Sequence, residues 1–322
     1  HLLEVAVASL RRKEEIGSRV AGALRIATER TADQFDLPVE GCRHAVNPTE
    51  YARTRNAIDG AVSHLSPYIT HGFVSLREVY EGVAQSHPLN PQHKFVFELG
   101  WRAYFRHVWH HRGDAIFASL HSGPLPDHQY SRSVPHDIRQ AQTGVNAMDM
   151  AIRGLYETGS MHNHARMWLA SYMVHVRKIH WRAGADWLYG HLLDGDLASN
   201  HLSWQWVAGT GSHKPYLFNA ENVARYAPDS WHSPGSAIDT TYENLAQIAH
   251  QVSDGLHPPN PSSAARPAAN EPALVCVPPS PWRHKAPDAA GVQGRDVWLV
   301  HPWSLGPLPS DLSPDTLVVG IT

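Results

Sequence analysis

The feature that most constrains the fold is a stripe of apolar residues in the middle of the chain. In MHNHARMWLASYMVHVRKIHW, residues 161–181, apolar side chains recur at the i, i+3/i+4, i+7 spacing of a helix with one buried face. These side chains are Ala165, Trp168, Leu169, Tyr172, Val176 and Ile179. The spacing predicts one long helix in the core.

Two other stretches carry the same periodicity and have defined ends. VNAMDMAIRGLYETG keeps the helical spacing and stops at Gly159, and PQHKFVFELGWRAYFRHVWHHRG starts near Pro91 and ends at Gly113. We find no convincing strand before residue 227. The predicted fold class is therefore all-α, with a helical domain over residues 1–227.

The composition changes beyond residue 227. We predict a helical or irregular extension over 228–257, followed by a linker over 258–294, where HPPNPSSAARPAANEP is rich in Pro and Ala and cannot bury a core. Beyond it, DVWLVHPW and TLVVGIT predict short strands, the start of a truncated α/β unit over 295–322. We expect both ends of the chain to be truncated.

Composition and charge narrow the class of protein. The 322 residues include two cysteines, Cys42 and Cys276, too few for a four-thiolate cluster or a disulfide framework, so we expect a cytoplasmic protein. There is no apolar run of about 18 residues, which argues against a membrane protein. Residues 51–191 hold 14 basic and 10 acidic residues, which permits contact with a phosphate backbone but does not argue for nucleic acid unaided.

The stretch LLDGDLASNHLSWQW, residues 192–206, is unusual for a core helix. Asp194 and Asp196 flank a glycine just before a helix, where carboxylates commonly cap free N–H groups. Yet Asp196, Asn200 and Trp204 are spaced i, i+4, i+8, so one face carries a carboxylate, a carboxamide and an indole. A buried Asn needs polar partners, and the polar edge of a bound heteroaromatic ring would supply them.

Together these stretches resemble the photolyase/cryptochrome family. TGSMHNHARMWLASYMVHVRKIHWRAGADWLYGHLLDGDLASNHLSWQW resembles the family's long flavin-binding block, SHLSPYITHGFVSLRE its phosphate-side segment and ELGWRAYF its substrate-side helix. The match covers about residues 51–227. It implies an all-helical domain that holds FAD bent back on itself in a central cavity.

The resemblance assigns cofactor-binding positions. Asn200 would face the flavin N5, Asp194 and Asp196 would lie along the ring, and Arg166 would pair with Asp194, where a cation lowers the cost of an anionic reduced flavin. The phosphate-side positions that match are Tyr51, Arg55, Ser63, Leu65 and Ser66.

The resemblance also assigns a substrate side. Taken alone, Glu98 and Trp101 on one helix face favour a core indole and a solvated carboxylate. In the family, Trp101 and Trp206 would clamp a flipped pyrimidine dimer, Glu98 would hydrogen-bond its base edge, and Asn163 and Met167 would line the cavity.

The resemblance also implies candidate contacts with DNA, and Arg102 is a candidate for either a cavity or a DNA contact. Arg55, Arg102 and His164 join the two tryptophans as candidate DNA contacts. His164 stands where many relatives carry Arg, which would remove one phosphate-directed charge.

The implied function is light-driven repair of cyclobutane pyrimidine dimers in damaged DNA. Reduced FAD would donate an electron, the ring would split and the electron would return, as in a DNA photolyase, a carbon–carbon lyase. The alternative is a cryptochrome-like blue-light receptor that binds FAD and signals through an unknown partner without repair. A third is a flavin-binding relative without photochemistry. We expect a monomer that makes no membrane contact.

Members of the family reduce their flavin through a chain of tryptophans. Trp204 and Trp181 match the inner two positions, while the outer position falls on Ile138. The residues that could substitute are Trp109, Trp168, Trp187 or a tyrosine.

Two other chemistries fit the sequence less well. His107, His110 and His111 lie on one side of a helix but have no carboxylate or cysteine partner at a familiar interval, so we predict no metal site. Ser63 and Ser66 beside His64 lack the G-x-S-x-G elbow of a hydrolase.

Overall fold

The computed structural model describes residues 46–252, 267–273, 289–300 and 309–320. In chain order the elements are α1 Pro48–Thr54, α2 Ser66–Thr70, α3 Leu76–Ala84, α4 Lys94–Arg112, α5 His136–Arg139, α6 Asn146–Thr158, α7 Asn163–Ser171, α8 Trp181–His191, α9 Leu197–Ala208, α10 Ala220–Tyr226, α11 Tyr242–His250, α12 Ala289–Val292, β1 Val297–Val300 and β2 Leu317–Gly320.

The chain divides into two compact units. The helical unit comprises 48–62 and the described residues of 90–272. The described residues of the second unit are 46–47, 63–89, 273, 289–300 and 309–320. Within the described part of the helical unit, strand-like pairing is limited to one bridge between Ser131 and Ile179, which confirms the all-α prediction.

The predicted stripe forms the centre of the helical unit. Its apolar residues, from Ala165 to Ile179, are all buried. The prediction of one long helix was wrong at its C-terminal end, because α7 continues only as a π-helical turn, Tyr172–Val176. Lys178 has a left-handed φ of 52°, and its ammonium donates to the carbonyls of His175, Ile248 and Ala249. This cation stabilises the ends of the π-helical turn and of α11.

The predicted stops at glycine are confirmed. Gly159 after α6 and Gly113 after α4 have φ of 68° and 53°, a conformation that glycine adopts without steric cost. The N-terminus of α4 lies three residues beyond the predicted Pro91, because the His93 side chain caps it by accepting from the Phe95 N–H at 3.2 Å.

In the second unit, α3 begins with a capping box between Ser75 and Glu78. Strands β1 and β2 pair in parallel with Val297 opposite Leu317, which confirms both predicted strands. The boundaries at 227, 257 and 294 stay predictions, and the predicted linker falls largely on 258–266 and 274–288, outside the described residues. No helix within the described ranges is long and apolar enough to cross a membrane.

Candidate functional site

The acidic turn between α8 and α9 holds arginines from two other helices. Asp196 is the N-cap of α9: its Oδ1 accepts from the Ser199 N–H at 2.9 Å, and its Oδ2 accepts from Arg106 at 2.9 and 3.0 Å. Asp194 accepts from Arg166 Nη2 with both oxygens, at 2.8 and 2.9 Å. The turn therefore connects α4 and α7 to the start of α9, and the predicted Arg166–Asp194 pair is present.

A third arginine completes this charge cluster. Arg102 Nη1 lies 3.8 Å from Asp196 Oδ2 and within electrostatic reach of Asp194, Arg106 and Arg166. Burial lowers the pKa of Arg102, while the two aspartates oppose the shift. Burial alone would raise the pKa of Asp196, but Arg102 and Arg106 outweigh it and the pKa is lowered. Three guanidinium groups against two carboxylates leave a net positive charge that suits an anionic ligand.

Asn200 and Trp204 follow the turn along α9. The half-buried Asn200 donates from Nδ2 to the Ala185 carbonyl of α8 at 2.9 Å, its one hydrogen bond from the side chain to another described residue. Its amide oxygen accepts no hydrogen bond from the described residues. Trp204 is buried against Gly184 of α8.

Glu98 is held by a cation at the start of the helical unit. Arg55 Nη1 lies 2.9 Å from Glu98 Oε1, and both side chains are about a quarter to a third exposed, at 24% and 31%. Tyr51 packs edge-on against Phe95 with ring centroids 5.5 Å apart. Burial, with a smaller effect of Glu98, raises the pKa of Tyr51 to about 12, so its hydroxyl stays a donor at neutral pH.

Both predicted clamp residues are exposed rather than core. Trp101 of α4 is 39% exposed and Trp206 of α9 is 42% exposed. Trp101 contacts the rings of Phe97 and Tyr104, at centroid distances of 6.1 and 5.6 Å, and both of these rings are also exposed. The prediction omitted Phe97 and Tyr104, although their i, i+4, i+7 spacing with Trp101 is visible in the sequence.

The start of α7 carries three of the other predicted residues, which differ in exposure. Asn163 is exposed, and its Nδ2 lies 3.8 Å from Sδ of the half-buried Met167. His164 is buried: its Nδ1 donates to the Asn56 carbonyl at 2.7 Å, and its Nε2 accepts from the Tyr216 hydroxyl at 3.3 Å. Burial lowers the pKa of His164, so the ring is neutral at pH 7. Its assignment as a DNA contact stays a prediction.

The two inner positions of the predicted tryptophan chain are both buried. Trp181 donates from its indole to Ser119 Oγ at 3.0 Å, and Ile138 at the outer position is fully buried in α5. From Trp181 the next rings outward are His180, at a centroid distance of 5.7 Å, and then Tyr130, 6.2 Å from His180.

Three predicted phosphate-side residues belong to the second unit. Leu65 is buried and immediately precedes α2, where its N–H donates to Ser63 Oγ at 3.4 Å. Ser66 is the first residue of α2 and is half-buried. Their role with phosphate stays a prediction.

Comparison with known proteins assigns the domain. A family model described as the FAD binding domain of DNA photolyase matches residues 95–252. The matched part of the chain belongs to the photolyase/cryptochrome family. The cofactor of the matched domain is FAD.

Relatives of both kinds in the family are similar to the chain. A deoxyribodipyrimidine photo-lyase of Synechococcus sp. is 33% identical over 204 residues, covering 58% of this chain and 40% of the relative. A cryptochrome DASH of Gloeobacter violaceus is 34% identical over 191 residues, covering 56% and 38%. The crystal structure of a Synechocystis sp. cryptochrome superposes with a TM-score of 0.54 at 25% identity, covering 64% of this chain and 52% of that one. The chain thus spans about two fifths of the length of these curated relatives.

Sequence reasoning missed two polar residues of the site. Arg106 lies one turn beyond Arg102 on α4, so the i, i+4 spacing gave a usable signal. Tyr216 follows an irregular loop, and its contacts with His164 and with Trp206, at a centroid distance of 5.8 Å, have no sequence signal.

Proposed function

We propose that the protein repairs cyclobutane pyrimidine dimers in DNA by light-driven electron transfer from reduced FAD in the helical unit. The observation that carries the proposal is the exposure of two large indoles, Trp101 and Trp206, on the packed helices α4 and α9. Apolar faces in water are unfavourable unless a ligand covers them. The flat faces of a flipped dimer are such a ligand, because stacking recovers about 1–3 kcal/mol per base.

The residues present suit the cofactor. The cluster of Arg102, Arg106 and Arg166 with the two aspartates carries net positive charge, and the amide oxygen of Asn200 remains for the polar edge of the flavin. Bound FAD would supply the light absorption and the electron. The protein would position the ring and lower the cost of its negative charge.

On the substrate side, Glu98 is the proposed contact to the base edge. The ion pair with Arg55 holds the Glu98 carboxylate in one place, which supports a positioned hydrogen bond. Asn163 and Met167 would line the same cavity from α7. For flavin reduction, Trp204 and Trp181 are the proposed inner members of the electron-transfer chain. We assign the outer position of this chain to Tyr130, because Ile138 at that position cannot carry an electron.

The test is illumination of the reduced protein with an oligonucleotide that contains one thymine dimer, with a dark control. We expect loss of the dimer only in light. Trp101→Ala should weaken affinity for the dimer-containing strand about tenfold or more, since one stacking face is lost, and should change affinity for undamaged DNA much less. Trp109→Ala is the matched control, because Trp109 is 37% exposed on the same helix. Equal losses on both DNAs would assign Trp101 to packing.

The cryptochrome-like receptor is the second candidate function. It is favoured by the neutral, buried His164 and by the fully buried Ile138, two positions at which the resemblance leads us to expect a surface charge and an outer tryptophan. Bound, reduced flavin with a dimer that persists under light would favour this receptor over repair.

A further inference from the structure

A short segment from the Pro- and Ala-rich part of the chain lies on the surface of the helical unit. Residues 267–272, the anchor segment, have no regular secondary structure, and most of their contacts go through one carboxylate. Glu271 accepts from Arg139 Nε at 2.6 Å, from Trp187 Nε1 at 3.0 Å and from His191 Nε2 at 3.0 Å. Three donors on one carboxylate make a specific site for a negative charge.

The receiving surface is built from α5, α6 and α8. We name it the anchor groove and define it by Arg139, Gln140, Tyr156, Trp187 and His191. Trp187 and His191 are four residues apart on α8 and present their N–H groups on one face. Tyr156 packs against both rings, at centroid distances of 6.4 and 5.0 Å, and donates to the Arg139 carbonyl at 2.7 Å. The groove is therefore rigid on its own helices.

The backbone of the segment is held at two further points. The Ala269 N–H donates to the Gln140 carbonyl at 2.8 Å, and Arg153 Nη2 donates to the Pro267 carbonyl. Ala268 and Asn270, on either side of Ala269, are exposed. Apart from the partly buried Ala269, which packs against the core, the contacts of the segment are polar and lie at the surface, so little apolar area opposes its release.

We propose that the anchor groove is a docking site for a short acidic peptide, and that the chain's own residues 267–272 occupy it as a releasable anchor. Burial alone would raise the pKa of Glu271, but its three donors lower it, so the docked carboxylate is charged at neutral pH. Fourteen residues separate Val252 from Pro267 along the chain, so docking of the segment is an intramolecular event that a free peptide must compete with. A contact of modest intrinsic affinity is thus filled in the intact chain and exchangeable with a free peptide.

The test uses the full chain and follows the Trp187 indole N–H by NMR, assigned with Trp187→Phe. In Glu271→Ala we expect this resonance to move and amide exchange over 267–273 to accelerate about tenfold or more, the loss of protection expected when docking is released. Adding the peptide RPAANEPA, the sequence of residues 266–273, should return the resonance to its wild-type position, whereas RPAANAPA should not. Glu157→Ala is the matched control, because Glu157 is an exposed carboxylate near the end of α6.

Each other outcome contradicts the proposal. A folded Glu271→Ala variant that keeps slow amide exchange over 267–273 would show that Glu271 does not hold a releasable segment. The same conclusion would follow if its Trp187 resonance did not move when the peptide was added. Unfolding of both Glu271→Ala and Arg139→Ala would make the segment an integral part of the fold. Concentration-dependent dimers that the peptide dissociates would assign the groove to the segment of a second copy.

Discussion

Replacing Gly184 with alanine should destabilise the helical unit, although alanine is the better helix former. A Cβ at Gly184 would lie 2.4 Å from both Cη2 and Cζ3 of Trp204 and 3.2 Å from Cε of Met173. Carbon atoms in contact are normally about 3.5–4.0 Å apart, so the overlap with the indole exceeds about 1 Å. Trp204 is only 3% exposed and its ring is rigid, so α8 and α9 must separate or the indole must rotate.

The net effect follows from two opposing contributions. Overpacking of a dense core costs about 1–3 kcal/mol, and a rigid ring places this site near the upper value. The better helix propensity of alanine returns up to about 1 kcal/mol. We expect a loss of about 2 kcal/mol in the free energy of unfolding, or about 4–8 °C in the midpoint of thermal unfolding for a unit of this size.

The matched control is Gly154→Ala in α6. A Cβ at Gly154 meets no atom within 4 Å, so the same substitution should stabilise the unit by about 0.5–1 kcal/mol. Both variants are compared with the parent by circular dichroism at 222 nm during heating and in urea. If Gly184→Ala proved as stable as Gly154→Ala, the close packing of α8 on the Trp204 ring would be refuted.

Three further predictions concern polar side chains inside the helical unit. Burial lowers the pKa of His175 to about 4, below its unfolded value of 6.5, so the stability that the neutral ring contributes is complete above pH 6.5 and is lost as pH falls towards 4. Between pH 7 and pH 4.5, urea unfolding should show a decrease of about 2.5 kcal/mol in the free energy of unfolding from this residue. His175→Gln does not titrate, so its free energy of unfolding should decrease by about 2.5 kcal/mol less over the same pH range. Arg166→Gln removes the cation that is hydrogen-bonded to the buried Asp194 and should lower the free energy of unfolding by about 2 kcal/mol. The double variant with Asp194→Asn should recover part of this loss, and additive losses from the two substitutions would contradict the pairing. Asn200→Ala should destabilise the reduced or radical flavin, and unchanged redox spectra of the bound flavin would contradict the position of Asn200 at N5.

The sequence predicted those features whose physical cause is local. Periodicity identified the buried stripe of α7 because one face of a helix must repeat every 3.6 residues. The stops at Gly113 and Gly159 were predictable because both take a left-handed φ that other residues avoid. The exposure of Trp101 was not predictable from its spacing alone, since the same spacing also describes a core residue.

Features that depend on contacts between residues far apart in the chain could not be predicted from the sequence. The π-helical turn after α7 and the left-handed Lys178 are fixed by carbonyls of α11, some 70 residues later. The composition of the predicted linker indicates no core, and it does not reveal that the Glu271 carboxylate accepts from Arg139 and Trp187. Such contacts are set by the tertiary arrangement of donors, which has no sequence period.

The two interpretations of the acidic turn are compatible. As the N-cap of α9, Asp196 accepts from the Ser199 N–H with Oδ1. As part of the charge cluster proposed to bind flavin, it accepts from Arg106 with Oδ2, so one carboxylate has both roles. Because Asp194 holds Arg166 in the same way, the turn fixes cations from α4 and α7 around the first turn of α9. Without the two carboxylates, those cations would repel one another. The stability of the fold and the positive charge proposed to receive an anionic flavin therefore depend on the same two side chains.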